Sequence, residues 1–276
     1  QLEYNFDVIM IINTKESKVK ISDEISARFK NRKIICLGEF EENIIDEALI
    51  YKHEDFYTEN LAALSKPVIL ISGLGGNLNK FDVQTNLMRN FAQNDLDAKA
   101  ISYNPASSLY GFDVFKYPDK VIFPDIVCEI NNYMCAAEEK TDLDIWTINV
   151  GGGCFFINNQ NKNIFGKLIT AYLEACNVDI FILCINSFVD IETLKFYILK
   201  LKNMGIREVL LLFSKNSFDL NSMEKKDGVK VYELDDNSYE NGLKYLRENL
   251  NEPIFTLDDL ENNNLYNHVI NTLTAR

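Results

Sequence analysis

Short, unbroken apolar runs alternate along this chain with stretches whose apolar residues recur every three or four positions. The runs fall at 7–12, 33–37, 68–72, 98–103, 144–150, 180–185, 208–213 and 230–234. They are rich in Ile, Val, Leu and Phe, and most end at Gly, Asn or Ser, as strands buried on both faces do. Between them, Val83, Leu87, Met88 and Phe91 form one stripe over 82–92, which predicts a helix packed on a sheet. Helices are predicted in the same way over 126–138, 164–176, 191–204 (closed by Gly205) and 241–250, before a polar, Asn-rich end.

This alternation predicts an α/β fold, a mostly parallel sheet with helices on both faces. The first 66 residues read as a small α/β unit, with strands at 7–12 and 33–37 and a helix capped near Ser22-Asp23-Glu24. Residues 67–276 read as the main domain with a helical C-terminal tail. In such sheets ligands bind beyond the carboxyl ends of the strands. The turns that follow strands there are the glycine-rich 73–80 loop, Asn104-Pro105, Gly151-Gly152-Gly153 and Ser214-Lys215-Asn216.

The chemistry concentrates in Gly73-Leu74-Gly75-Gly76-Asn77-Leu78-Asn79-Lys80-Phe81. Small residues let a backbone approach a phosphate, and a helix N-terminus adds partial positive charge. The lysine reaches the outer phosphates in loops of this kind. Gly73, Gly75, Gly76, Asn77, Asn79, Lys80, Phe81 and the Gly151, Gly152, Gly153 turn are therefore the candidate phosphate-binding residues. A P-loop carries Gly before its lysine and Ser or Thr after it, and here Asn79 and Phe81 stand in those places. Two readings stay open: a retained phosphate site, or only a tight strand–helix connection. Asp82, Asp144 and Asn149 are the candidate metal- or water-holding groups.

A formal net charge of −13 without a basic block argues against nucleic acid as the main partner. Six scattered cysteines form no C-x-x-C pair, and the two histidines give no zinc spacing, so no resident metal site is expected. Free thiols, the lack of a signal pattern and the lack of an apolar run long enough to span a bilayer predict a cytoplasmic protein. Cys154, beside the triple glycine, reads either as a passive small residue or as a reactive thiol. Tyr103, Tyr110, Phe112, Phe115 and Tyr117 read either as core and lid packing or as a peptide-binding surface.

The order of loop, helix, strand, Tyr103-x-Pro105, strand and triple glycine resembles the dethiobiotin synthetase branch of P-loop NTPases. Its loop reads G-x-G-x-x-x-G-K-T, and Gly73, Gly75 and Lys80 keep that spacing. The resemblance covers about 67–216 and implies a nucleotide, ATP or GTP, with Mg²⁺. It also marks three departures. Phe81 replaces a Mg²⁺-binding hydroxyl, Asn149 replaces an acidic residue and Asn104 replaces a lysine.

The stretches GLGGNLNKFDVQTNL (73–87), YGFDVFKYPD (110–119) and VGGGCFFIN (150–158) are similar to clostridial peptide maturation system proteins. These accompany bacteriocin-like or other ribosomally made precursor peptides and radical-SAM maturases. In that group an N-K-F ending of the loop is usual. The resemblance implies an accessory role in natural-product peptide maturation, with a precursor peptide and a maturase as partners. A homodimer follows by analogy with other P-loop proteins. Three functions are consistent with the residues: a divergent nucleotide-dependent enzyme acting on a peptide, a non-catalytic scaffold that binds precursor or maturase, and, least favoured, an amide-forming relative of dethiobiotin synthetase.

Overall fold

The structure is a computed structural model that describes residues 8–12, 33–37, 61–115, 123–154, 166–187, 190–218 and 231–275. The predicted helix near Ser22, the 39–60 stretch and Tyr117 lie outside these residues. The chain divides into two compact units. One comprises Gln1–Lys52 and Ser102–Lys116, the other His53–Ile101 and Tyr117–Arg276.

In the smaller unit, β1 (Val8–Ile12) and β2 (Lys33–Leu37) pair in parallel, Val8 opposite Lys33 through Ile12 opposite Leu37. A 3-10 turn over Pro105–Tyr110 follows Asn104, whose side chain caps it by accepting from the Ala106 amide at 3.0 Å.

The larger unit is built on β3 (Val68–Gly73), β4 (Ala98–Ser102), β6 (Ile145–Asn149), β7 (Ile180–Ile185), β8 (Glu208–Phe213) and β11 (Ile254–Phe255). β5, the two-residue Asp113–Val114, belongs to the smaller unit. The six strands lie in the order β11-β8-β7-β3-β6-β4, with parallel pairing from β11 through to β6. Every residue of β3, β6 and β7 is buried. Side chains alternate between the two faces of a strand, so complete burial means that both faces are covered.

The helices are α1 (Lys80–Gln93), α2 (Phe123–Lys140), α3 (Lys167–Ala175), α4 (Ile191–Asn203), α5 (Asp236–Asn249), α6 (Leu257–Glu261) and α7 (Asn264–Thr274). α1 packs on β3 and β6, and α4 on β8. The expected stripe of α1 holds, with Val83, Leu87 and Phe91 fully buried. Gln84 on the same face donates from Nε2 to the Ile101 carbonyl at 2.9 Å and so ties the helix to the sheet. Gly205 sits at φ +91° just past α4, the left-handed cap that its position predicted.

Several elements differ from expectation. β9 (Asn216–Phe218) pairs antiparallel with β10 (Val231–Glu233) where only the second strand was anticipated. α5 starts five residues earlier than predicted, because Asp235 caps it by accepting from the Ser238 amide. The Asn-rich end is structured as β11, α6 and α7, with a Thr256–Asp259 capping box and buried Leu265 and Val269. Among the described residues no helix is long and apolar enough to cross a membrane.

Candidate functional site

β3 delivers the chain into the 73–80 loop at the carboxyl edge of the sheet, and both neighbouring strands hold it there. The Leu74 amide donates to the Cys184 carbonyl of β7 at 3.0 Å. From the β6 side, the Cys154 amide donates to the Gly73 carbonyl at 2.8 Å. Gly73 is needed for space. A β-carbon there would lie 3.1 Å from the Cys184 carbonyl oxygen and 3.3 Å from both the Gly75 carbonyl oxygen and Cδ of Lys80. Gly76 is exposed with open space around it.

Asn77 and Asn79 stand in the left-handed region, at φ 53° and 60°. Glycine is the residue for that conformation and asparagine the best substitute. Asn79 therefore holds a left-handed backbone at the residue before the lysine, where a glycine would also fit. The side chain adds anchors that glycine lacks: Nδ2 donates to the Asp82 carboxylate at 2.8 Å, and Oδ1 accepts from the Ser214 hydroxyl at 2.5 Å. Asn216 Nδ2 donates to the Asn77 carbonyl at 2.8 Å. The turn after β8 thus latches the loop. Asn79→Ala is expected to cost about 1–2 kcal/mol, more than Asn79→Gly, because alanine loses the anchors and also strains a positive φ. Paired chemical-denaturation curves of the two variants check this order.

Lys80 opens α1 and is only 9% exposed. Its Nζ donates to two carbonyls, Gly75 within the loop and Gly152 of the triple glycine, each at 2.7 Å. Gly152 adopts φ +75°, a conformation glycine takes without strain. Burial pulls the Lys80 ammonium below the usual lysine range, opposed by the nearby Cys184 and Cys154. An ammonium has three donors, so one remains after the two carbonyls. The first intrahelical amide bond runs from Val83 to the Asn79 carbonyl at 3.0 Å. The amides of Lys80 and Asp82, in the turn before it, carry the partial positive charge of the helix start.

The sequence-predicted residues separate into two places. Gly73, Gly75, Gly76, Asn77, Asn79, Lys80, Phe81 and Asp82 form the loop and first turn, and Gly152 joins them through Lys80. Gly151 and Gly153 flank it, with the Gly166 amide donating to the Gly153 carbonyl at 3.0 Å. Asn149 ends β6, in register with Ile71 of β3, and is 6% exposed.

Asp144 is not with them. It precedes β6 at the amino end, exposed, and its carboxylate accepts from the Asp97 amide at 2.8 Å. Five strand residues put it about 16 Å from Asn149, at the opposite edge of the sheet. Phe81, partly buried, brings an apolar ring to the position after the lysine.

The Cys154 thiol is buried beside Lys80 and pushed up to about 12, chiefly by desolvation, with Lys80 pulling the other way. Cys184 is likewise pushed up to about 12 by burial. Neither is a thiolate nucleophile at neutral pH. In the smaller unit Phe112 is buried, while Tyr103 and Tyr110 are exposed, the Tyr110 ring 5.8 Å from that of Phe112.

Sequence reasoning missed the roles of Ser214 and Asn216. Their only signal was that they follow β8 at the carboxyl edge. Lys215 between them is drawn away to Asp236 at 2.8 Å.

No protein-family model and no curated protein matches the chain. Among solved structures, a DUF1611 family protein from Anabaena variabilis superposes with TM-score 0.51 at 12% identity, over 92% of this chain and 77% of that one. The cell division protein MinD from Aquifex aeolicus overlaps at TM-score 0.41 and 12% identity, over 68% and 79%. Chloroplast FtsY from Physcomitrella patens overlaps at 0.37 and 14%, over 71% and 59%. Only the first of these overlaps is close enough to speak for a shared fold, and at 12% identity it speaks for the fold alone.

Proposed function

We propose that the 73–80 loop binds the phosphate of a nucleotide, ATP or GTP, and that the chain is an accessory protein in the maturation of a ribosomally made peptide. The observation that carries the first half is Lys80: a nearly buried ammonium, held by two carbonyls and by no carboxylate among the described residues, at the start of a helix behind a glycine loop. A buried cation without a counter-charge is costly, and an arriving phosphate supplies that charge. The second half rests on the resemblance of the 73–87, 110–119 and 150–158 stretches to peptide maturation system proteins. A precursor peptide and a radical-SAM maturase are the partners that follow from it, and a second copy of the chain follows by analogy with other P-loop proteins.

Phe81 favours the alternative, a non-catalytic scaffold that binds precursor peptide or a partner maturase on a degenerate P-loop fold, since it removes a group on which metal-assisted phosphoryl transfer depends. Calorimetric titration of ATP and GTP into the chain and into Lys80→Ala separates these readings. Binding that is lost in the variant supports the phosphate site. Binding that is unchanged by the substitution, or absent from both proteins, overturns it.

A further inference from the structure

We propose that the 73–80 loop takes its phosphate ligand without a divalent cation, because the Lys80 ammonium itself fills the cation's place. The inference rests on the phosphate reading above and concerns how that site is neutralised.

Magnesium demands a near-octahedral set of oxygens, several of them from water and phosphate, anchored by one or two protein oxygens. The two carbonyl oxygens that converge on Lys80 are already engaged. The Gly75 and Gly152 carbonyls, one from each side of the site, both accept from Lys80 Nζ at 2.7 Å. A metal seated on them would displace that ammonium or stand against its charge. The residue after the lysine, whose hydroxyl would otherwise ligate, is Phe81. The last residue of β6 beside the loop is Asn149, whose neutral amide sits where a carboxylate would attract a cation.

Among the described residues of the loop and first turn, one carboxylate remains. Asp82 is exposed and accepts from Asn79 Nδ2 at 2.8 Å, a bond that fixes the left-handed residue before the helix. The groups at the helix start are donors: Lys80 Nζ, with one hydrogen beyond those given to its two carbonyls, and the Lys80 and Asp82 amides. Donors complement an anion and repel a cation. The donor set therefore fits phosphate and does not fit Mg²⁺.

The test is calorimetric titration of ATP and of ADP into the full chain, first in buffer containing EDTA and then with excess magnesium. The expected result is binding in EDTA, with dissociation constants that change by no more than about twofold on adding magnesium. The double variant Phe81→Thr, Asn149→Asp returns the two missing metal-binding groups. It is expected to tighten by about tenfold with magnesium, which marks the response that the native chain lacks. Binding of either nucleotide by the native chain only when magnesium is present overturns this inference and leaves the phosphate loop standing. No binding in either condition overturns both.

Discussion

Lys80→Met is expected to weaken phosphate binding severely while leaving the free protein nearly as stable as before. On the proposed reading the nearly buried ammonium gives a bound phosphate a charge-assisted hydrogen bond. Losing it is expected to weaken binding by about 100-fold or more, the effect of removing one partner of a desolvated charged pair. Stability changes little because two effects oppose each other. The Gly75 and Gly152 carbonyls lose their donor, at about 1 kcal/mol each, while the desolvation penalty of the buried ammonium disappears. Calorimetry with ATP and thermal melts of the ligand-free proteins measure the two sides separately.

The same lysine sets a pH dependence whose sign can be worked out. Burial lowers its pKa below the ordinary 10.5, so between the folded value and 10.5 the unfolded chain binds more protons. The ligand-free native state therefore gains stability from this group as pH rises through that window and loses it as pH falls. Phosphate affinity moves the other way. It declines as pH climbs through the lowered Lys80 pKa, while exposed lysines are still charged. A titration series at rising pH, with Lys80→Met as the flat reference, reads this directly.

Gly73→Val is expected to be the most damaging single change at the loop, costing about 3 kcal/mol and releasing Lys80 from its carbonyls. Even a β-carbon would press on the Cys184 carbonyl at 3.1 Å, and the γ-carbons of valine reach further. That carbonyl cannot yield easily, because it accepts the Leu74 amide and belongs to a central, fully buried strand. The movable neighbour is Lys80 Cδ at 3.3 Å, so strain is relieved by expelling the lysine chain. Urea unfolding gives the stability loss. Failure of ATP to raise the melting temperature of this variant shows that the site has gone with it.

The central strands and the α1 stripe were legible because they are long and apolar at the right period. The missed pieces are short. β9 and β11 span Asn216–Phe218 and Ile254–Phe255, too few residues to show a period. α7 hides behind Asn262, Asn263 and Asn264, although Thr256 and Asp259 already spelled a capping box before α6. At the site, the sequence pointed to Lys80 but not to its acceptors. The direction of a backbone carbonyl such as Gly152 depends on how distant strands bring their turns together. Asp144 and Asn149 sit at opposite ends of one run, and strand rise alone separates them. Asn79 stands where a P-loop has glycine, and only the structure supplies a physical reason for it, the positive φ and the bond from Ser214.

The two thiols packed beside Lys80 give the loop a built-in opening gauge. Cys154 and Cys184 are almost fully buried and raised to about 12, whereas Cys128 and Cys135 are partly accessible. An alkylating reagent can reach the first pair only when the strand ends part. Their modification rate, relative to the free-thiol rate, then measures the free energy of that local opening. A ligand seated on Lys80 slows the buried pair by the factor with which it holds the loop shut. Labelling kinetics can thereby report occupancy of the loop without any turnover being observed.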